Sequence, residues 1–593
     1  MAVNISAWSI KKPLGAVVLM LVLMILGAIN LSKLPITRLP NVDLPVVLVI
    51  ISQFGAAASE LETQVAKPVE DAVSGVEGVR HIASSVNDGV SVTTITFGLD
   101  TDPARGLNDV KDAVTRIRSN LPSGITEPQV RRVDVMGLGI VTYAAISKVK
   151  TPEQLSWFVD NVVKRSLQGV RGVGRIDRIG GVDREIVVRL DPDRLDAVGL
   201  TAADVSLRLR GNNVDLAGGR AEIGGRDQSI RTLAGAKTLA DLAATMIALP
   251  MGGEVRLDDL GTVTDTVAEQ KTFARLDGEP IVAFSILRSK GASDVTVAGD
   301  VEKRIEEISK DDPDVTLKVI DSAVDYTRGN YDSAMHGLYE GAALAVVVVL
   351  LFLRDFRATV IAAVTLPLSI LPTFWVLSLL GFTLNLVSLL AITLSTGILV
   401  DDAIVEIENI VRHIRMGKSA YQAALEAADE IGLAVIAISL TIVAVFVPVS
   451  FMGGVAGQFF KQFGITVSVA VLCSLLVARL ITPMLSAYFF KSHVHDEKAG
   501  GVVLRTYARI LRWSVRNRFI TIAVGLLLFV ASIWSITLLP LQFLPAQDTG
   551  RSLLAVELPS GSVLSETASV TEDIVKRLRS RPEVRSVFVD GGR

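Results

Sequence analysis

Cysteine is almost missing from this sequence: Cys473 is the only one among 593 residues. No intrachain disulfide framework and no multi-cysteine zinc site can therefore be built. Cys473 lies inside an apolar block and reads as a small buried hydrophobe. Histidine is scarce too. Of His81, His336, His413, His493 and His495 only the last two are close together, on a polar stretch where both are expected to be solvated. Charge of one sign is also lacking: 59 Lys and Arg face 62 Asp and Glu, and a net charge of -3 excludes nucleic acid as an expected partner. Nucleotide signatures fail. Met416-Gly417-Lys418-Ser419 has the end of a phosphate loop, but Arg412 stands where its first glycine is required, and Gly169 to Gly181 lacks dinucleotide spacing. No nucleophile, general base and orienting acid are grouped, so neither enzyme chemistry nor a cofactor or metal is expected.

What the chain has in excess is apolar residues, 50% of the total. They gather into blocks of about twenty, the length that crosses a bilayer as a helix. Seven spans are predicted, at residues 14–32, 337–354, 358–380, 384–408, 432–452, 465–490 and 518–539. Lys11 and Lys12 give the first block the look of a signal peptide, but its length and the lack of a small-x-small site before Lys33 favour a retained span. With residues 1–13 cytoplasmic, Arg354 and Arg357, then Arg412, Arg415 and Lys418 in the loop 409–431, then Arg505, Arg509, Arg512, Arg516 and Arg518 in and beside the linker 491–517, all fall inside. That satisfies the positive-inside rule at every short loop.

The same count puts residues 33–336 outside as a domain-sized loop. Val46 to Ser52 reads as a strand, Glu60 to Val73 as a helix, Val79 to Val86 and Ser91 to Phe97 as strands, and Pro103 to Asn120 as a helix. The order β-α-β-β-α suggests a ferredoxin-like split βαβ unit, and a second unit is expected, interrupted between Gly169 and Arg226. The fold class is thus a polytopic α-helical membrane protein with α+β ferredoxin-like domains.

The start of this pattern recurs. Leu39-Pro40-Asn-Val-Asp, a strand, a helix and Gly78-Val79-Arg80 after the first span match Leu544-Pro545-Ala-Gln-Asp, a strand at Leu553 to Leu558, a helix at Ser565 to Leu578 and Glu583-Val584-Arg585 after the seventh. The two registers stand about 505 residues apart throughout, the mark of a parallel internal duplication of the kind that builds transporter halves. Residues 540–593 are read as the start of a second external domain. On this reading the chain is the N-terminal half of a protein with about twelve spans.

Inside the fourth span the run Gly397-Ile-Leu-Val-Asp401-Asp402-Ala-Ile-Val-Glu406-Ile-Glu408-Asn409 puts carboxylates in or near the hydrocarbon. An Asp at a span centre costs about 2.5–3.5 kcal/mol on insertion scales, so such acids default to function. Asp401 and Asp402 are the candidate proton-translocating pair. Adjacent residues diverge by about 100°, so the two are expected to face different neighbours. Arg479 is the only basic residue well inside another span and is one expected neighbour. Glu406 and Glu408 are read as interfacial, and Glu340 as an accessory acid or as an acid at a helix start. The alternative for the pair is a helix that ends near Val400 and leaves both acids at the cytoplasmic interface.

These motifs, with Phe356-Arg357-Ala358-Thr359, Phe446-Val447-Pro448-Val449, Gly453-Gly454 and Leu480-Ile481-Thr482-Pro483, resemble the resistance-nodulation-division (RND) efflux transporters along essentially the whole chain. The double Asp followed by Ala-Ile-Val fits the hydrophobe and amphiphile exporters, and Met136, Met251 and Met335 are too scattered for a soft-metal relay. The resemblance implies an inner-membrane permease with two porter subdomains in the periplasm and a docking subdomain inserted near residues 181–271. It also implies a homotrimer joined to a periplasmic adaptor protein and an outer-membrane channel, exporting amphiphilic small molecules. Energy would come from proton antiport through Asp401 and Asp402, which in the family pair with a lysine of the tenth span, a span outside this chain. The alternatives are an RND-type lipid or metal-ion transporter and a truncated, inactive membrane protein.

Overall fold

The structure is a computed structural model that describes residues 5–41, 45–53, 55–132, 139–214, 216–232, 235–353, 355–490, 502–539, 550–559 and 561–592. Met136, Arg354, His493, His495 and the Leu544-Pro545 signal lie outside the described residues. The chain divides into two compact units, one of Met1–Ile140, Arg288–Gly299 and Ala323–Leu553, the other of Val141–Leu287, Asp300–Ser322 and Leu554–Arg593.

In the first unit, strands β1 (Val46–Ser52), β2 (Val79–Asn87), β3 (Val90–Phe97) and β4 (Gln129–Arg132) form an antiparallel sheet in the order β2-β3-β1-β4. This is the expected split βαβ arrangement. Alternation explains it: Val47, Val49 and Ile51 of β1 are buried while their neighbours are half-buried, so one face of the sheet meets two helices. The first helix runs through Ala58–Leu61, a π-helical turn at Glu62–Ala66 and Lys67–Ser74, and buries Leu61, Val65, Val69 and Val73. The second, Pro103–Arg116, opens with proline at its first position and with Asp102 accepting from the Ala104 N–H at 3.0 Å. Each fully buried Val or Leu here is worth roughly 1.5–3 kcal/mol.

Among its described residues the first unit also holds seven helices that are long and apolar enough to cross a membrane. They are Pro13–Lys33, Ala323–Leu353, Phe356–Leu379, Leu386–Arg415, Gly432–Val449, Gly454–Phe489 and Arg518–Ile536, called here the first to seventh apolar helices. Each predicted segment overlaps one of them to within three residues at the ends it overshoots, and three helices overrun their predicted ends by seven residues or more. The second begins at Ala323, the sixth at Gly454, and the fourth continues to Arg415. Hydropathy marks where side chains turn polar, whereas i→i−4 bonding carries the backbone onward through amphipathic turns. The predicted loop 409–431 is accordingly mostly helical, completed by Ala420–Glu430. Close packing shapes this bundle: a Cβ on Gly27 would sit 2.0 Å from the Leu371 carbonyl oxygen beside Pro372, so only glycine lets the first helix approach the third there.

Among the described residues of the second unit the main sheet has six strands. Its path is β15 (Thr316–Ser322), β5 (Val141–Ile146), β14 (Glu279–Arg288), β13 (Phe273–Leu276) and β16 (Phe588–Gly591), with β6 (Val173–Ile179) also on β14. Between β6 and β13 a small lobe is built on β7 (Arg184–Leu190) paired with β12 (Gly261–Val267), with hairpins β8 (Leu216–Ile223) to β9 (Arg226–Thr232) and β10 (Met246–Ala248) to β11 (Glu254–Arg256). Its core comprises Leu195, Val205, Ile247, Leu257 and Leu260. The β13–β14 turn places Asp277 at φ 57 and Gly278 at φ 96, as an Asp-Gly two-residue hairpin requires.

The C-terminal segment departs from expectation. Residues 553–558, predicted as a strand, have no regular structure and no ladder partner among the described residues. β1 is a strand because β3 and β4 flank it, and 553–558 lack such flanks. Further on, β16 pairs antiparallel with β13, Leu276 opposite Phe588 and Phe273 opposite Gly591.

Candidate functional site

The site is built on the fourth apolar helix, which starts from a firm anchor. Asn385 Oδ1 accepts from the Val387 and Ser388 N–H groups at 3.0 and 3.1 Å, and its Nδ2 donates to Gln462 Oε1 of the sixth helix at 2.7 Å. From there the backbone is helical without interruption to Arg415. Asp401 and Asp402 therefore sit in mid-helix, and the alternative of a helix ending near Val400 is excluded.

Burial divides the helix beyond Val400 into two stripes. Asp402, Glu406, Asn409 and His413 are buried, at i, i+4, i+7 and i+11, whereas Asp401, Val405, Glu408, Arg412 and Arg415 are exposed along the next face. This is the divergence expected of adjacent residues on a helix. Asp401 has no hydrogen bond or salt bridge among the described residues. Asp402 is 9% exposed and accepts a hydrogen bond from Ser474 Oγ of the sixth helix at 2.9 Å.

One turn on, Glu406 is 0% exposed. The helix keeps it on the Asp402 face against the sixth helix, an enclosure that its reading as interfacial does not predict. The cation expected beside the aspartates is here instead: Arg479 Nη1 lies 3.7 Å from Glu406 Oε2. Neither carboxylate oxygen of Glu406 has a hydrogen-bond partner among the described residues. Arg479 is held by other means. Its Nη1 donates to the Ala428 carbonyl at 2.8 Å, in the last turn of the helix Ala420–Glu430, where carbonyls lack helical partners. A Cβ on Gly432 would come within 2.6 Å of its Nη2, so glycine leaves room for the guanidinium. Pro483, four residues on, cannot donate to the Arg479 carbonyl, and that oxygen accepts from Ser6 Oγ at 2.8 Å. The Thr482-Pro483 motif thus frees the acceptor that ties the N-terminal helix Ile5–Lys11 to the bundle.

The buried stripe ends in a charge cluster. Asn409 Nδ2 donates to the Ala427 carbonyl at 3.1 Å, and His413 Nε2 lies 2.7 Å from Glu430 Oε2. Lys418 Nζ, an obligate donor, is 3.0 Å from His413 Nδ1, which assigns the proton to Nε2 and makes it the donor to Glu430. Lys418 also bonds Glu426. Arg412, and after it His413, hold Glu430 down at about 2 by hydrogen bonding its carboxylate.

Glu340 does not join this site. It is exposed, and with the helix starting at Ala323 it is neither buried nor at a helix start. Among the described residues no three His, Cys, Asp or Glu side chains converge as a metal site. The Glu406–Arg479 pair escaped the sequence reading, although two signals pointed to it: the i, i+4, i+7 spacing of Asp402, Glu406 and Asn409, and a lone arginine in an apolar segment that needs an acid.

Residues 5–593 match the profile of a family described as AcrB/AcrD/AcrF. The chain is 31% identical over 596 residues to multidrug resistance protein MdtC of Escherichia coli O6:H1, an alignment covering 98% of the chain and 58% of that relative. Against multidrug resistance protein MdtC of Escherichia coli O81 it is 30% identical with the same coverage. The chain thus spans 58% of the length of these relatives.

Proposed function

The chain belongs to the AcrB/AcrD/AcrF family of RND multidrug efflux permeases, and on that premise we propose that it forms part of a proton-driven exporter of amphiphilic compounds in the bacterial inner membrane. The observation that carries the reading is Asp402, a carboxyl group buried in mid-helix whose described hydrogen-bond partner is a neutral hydroxyl, Ser474. An acid so placed tolerates both protonation states: the neutral form suits the apolar bundle, and the charged form keeps one donor. Asp401, on the adjacent exposed face, presents the second acid to other helices of the complete transporter.

Moving one proton inward across 100 mV releases about 2.3 kcal/mol. Loading and unloading Asp402 changes the charge between the fourth and sixth helices, and this couples that energy to their packing. The external α+β domains carry the substrate route in this reading. The working form is a homotrimer that meets a periplasmic adaptor and an outer-membrane channel.

The test is Asp402→Asn in the full-length transporter, read as uptake of ethidium into everted vesicles driven by a pH gradient. Gradient-dependent uptake is expected to vanish while the protein still inserts. Unchanged uptake with an unchanged requirement for the gradient would defeat the proposal.

A further inference from the structure

Glu406 is a fully buried carboxylate that the proton site just described does not use, and its surroundings give it a task. It lies one helical turn from Asp402 on the same face, and residues four apart on a helix have Cβ atoms about 5–6 Å from one another. Continuing down that face come Asn409 and then His413, both buried, and His413 meets Glu430. A polar stripe therefore leads from Asp402 to the charge cluster at the end of the helix, through a bundle whose neighbouring residues are apolar.

We infer that Glu406, with Arg479 as its counter-charge, is a second proton station on the cytoplasmic side of Asp402, and that the stripe through Asn409 to His413 and Glu430 is the proton exit. The inference rests on the proton-coupling reading of Asp402. The step is a proton transfer alone: the Asp402 carboxyl O–H breaks as an O–H forms on a Glu406 oxygen, directly or across one water. Asp402 is left as the anion, and Glu406 is neutral. Glu406 then releases the proton across water toward the half-exposed Glu430 carboxylate at the end of the stripe, and returns to the carboxylate.

Three features suit Glu406 to this. Both its oxygens are free of hydrogen bonds among the described residues, so each can receive a proton. The guanidinium of Arg479 stands at 3.7 Å, beyond hydrogen-bonding distance, and supplies charge without occupying a carboxylate lone pair. Arg479 is itself fixed by the Ala428 carbonyl and by the space at Gly432, so it does not follow the proton. A pair serving only to join helices would be expected to close to direct, bidentate contact.

The groups facing the stripe are few. Asp402 lies on the same helix and Arg479 on the sixth. Ser6 of the N-terminal helix bonds the Arg479 carbonyl, and apolar Val349, Ala358 and Ile361 of the second and third helices pack with Ile407, Ile410 and Ile414 on the neighbouring face of the fourth. At the far end His413 faces Glu430 and Glu426 of the helix Ala420–Glu430, with Lys418 on its other ring nitrogen.

The experiment uses the full-length transporter in everted vesicles with ethidium as the probe, at a fixed pH difference and several cytoplasmic-side pH values. Glu406→Gln is expected to lower the maximal rate at least tenfold, to leave the half-saturating ethidium concentration unchanged, and to flatten the pH profile. Glu406→Asp is expected to restore most of the rate. A double variant, Glu406→Leu with Arg479→Met, removes both charges together, so it is expected to regain thermal stability while remaining slow. Parental rate and pH profile in Glu406→Gln overturn the inference, as does full recovery of transport in the double variant, which would make the pair a packing device. Asp402→Asn run alongside separates the two levels. If it abolishes coupling while Glu406→Gln is parental, only the exit station fails; if it too is parental, the underlying reading fails.

Discussion

The two stripes of the fourth apolar helix carry the same chemistry in opposite settings. On one face Asp402 and Glu406 are buried and answered by Ser474 and Arg479; on the next, Asp401 and Glu408 are exposed, and Asp401 lacks a hydrogen bond or salt bridge among the described residues. Composition does not distinguish these faces, because each holds two acids within two turns. The difference lies in what the sixth helix presents, a small hydroxyl at one level and a guanidinium at the next. Acid content says that a helix has a task, and the facing helix says which acid performs it.

The sharpest test of that contrast is transport. Asp402→Asn is expected to cut proton-driven efflux by about 100-fold or more, the range for loss of an essential proton carrier, and vesicle uptake of ethidium reads it. The next largest effect is on stability. Arg479→Met leaves Glu406 buried and uncompensated, which costs about 3–5 kcal/mol and is measured as a fall in the unfolding midpoint in detergent. Gly432→Ala pushes on the same guanidinium, and overpacking of this kind costs about 1–3 kcal/mol; additional Arg479→Met should remove most of the penalty of the alanine, because the clash partner is gone.

Smaller effects come from the ends and the exposed face. Glu430 has a folded value near 2 against an ordinary 4.5, so its interactions with Arg412 and His413 stabilise the protein fully above about 4.5 and lose that contribution as the pH falls through about 2. The stability deficit of Glu430→Gln is thus expected to be present at pH 6 and to shrink at pH 3. The smallest change is Glu408→Gln, within about 0.5 kcal/mol of the parent. If it matched Arg479→Met in cost, the distinction between the stripes would collapse.

Much of this was legible beforehand. The seven apolar segments declare themselves by hydropathy, and the alternation of β1 and the proline-led helix at Pro103 set out the first sheet unit. Asp402 could be picked out because an ionised group in an apolar run is costly. Helix ends were not legible, since backbone hydrogen bonding ignores the polarity change at Arg412 and at Ala323. That error misplaced Glu340 at a helix start. The segment 553–558 shows the converse: strand-like alternation describes a residue's readiness to pair, and pairing also needs a partner.

The pairing of β16 with β13 sets an order in time. Leu276 and Phe588 are neighbours in one ladder, yet six apolar helices separate them along the chain. A ribosome making this protein from its N-terminus releases β13 first and must complete all six helices before β16 exists. Throughout that interval β13 is an open sheet edge, with unpaired N–H and C=O groups ready to template a wrong neighbour. Completion of the sheet thus waits on synthesis of the helices, and a delay in making or inserting them prolongs exposure of that edge.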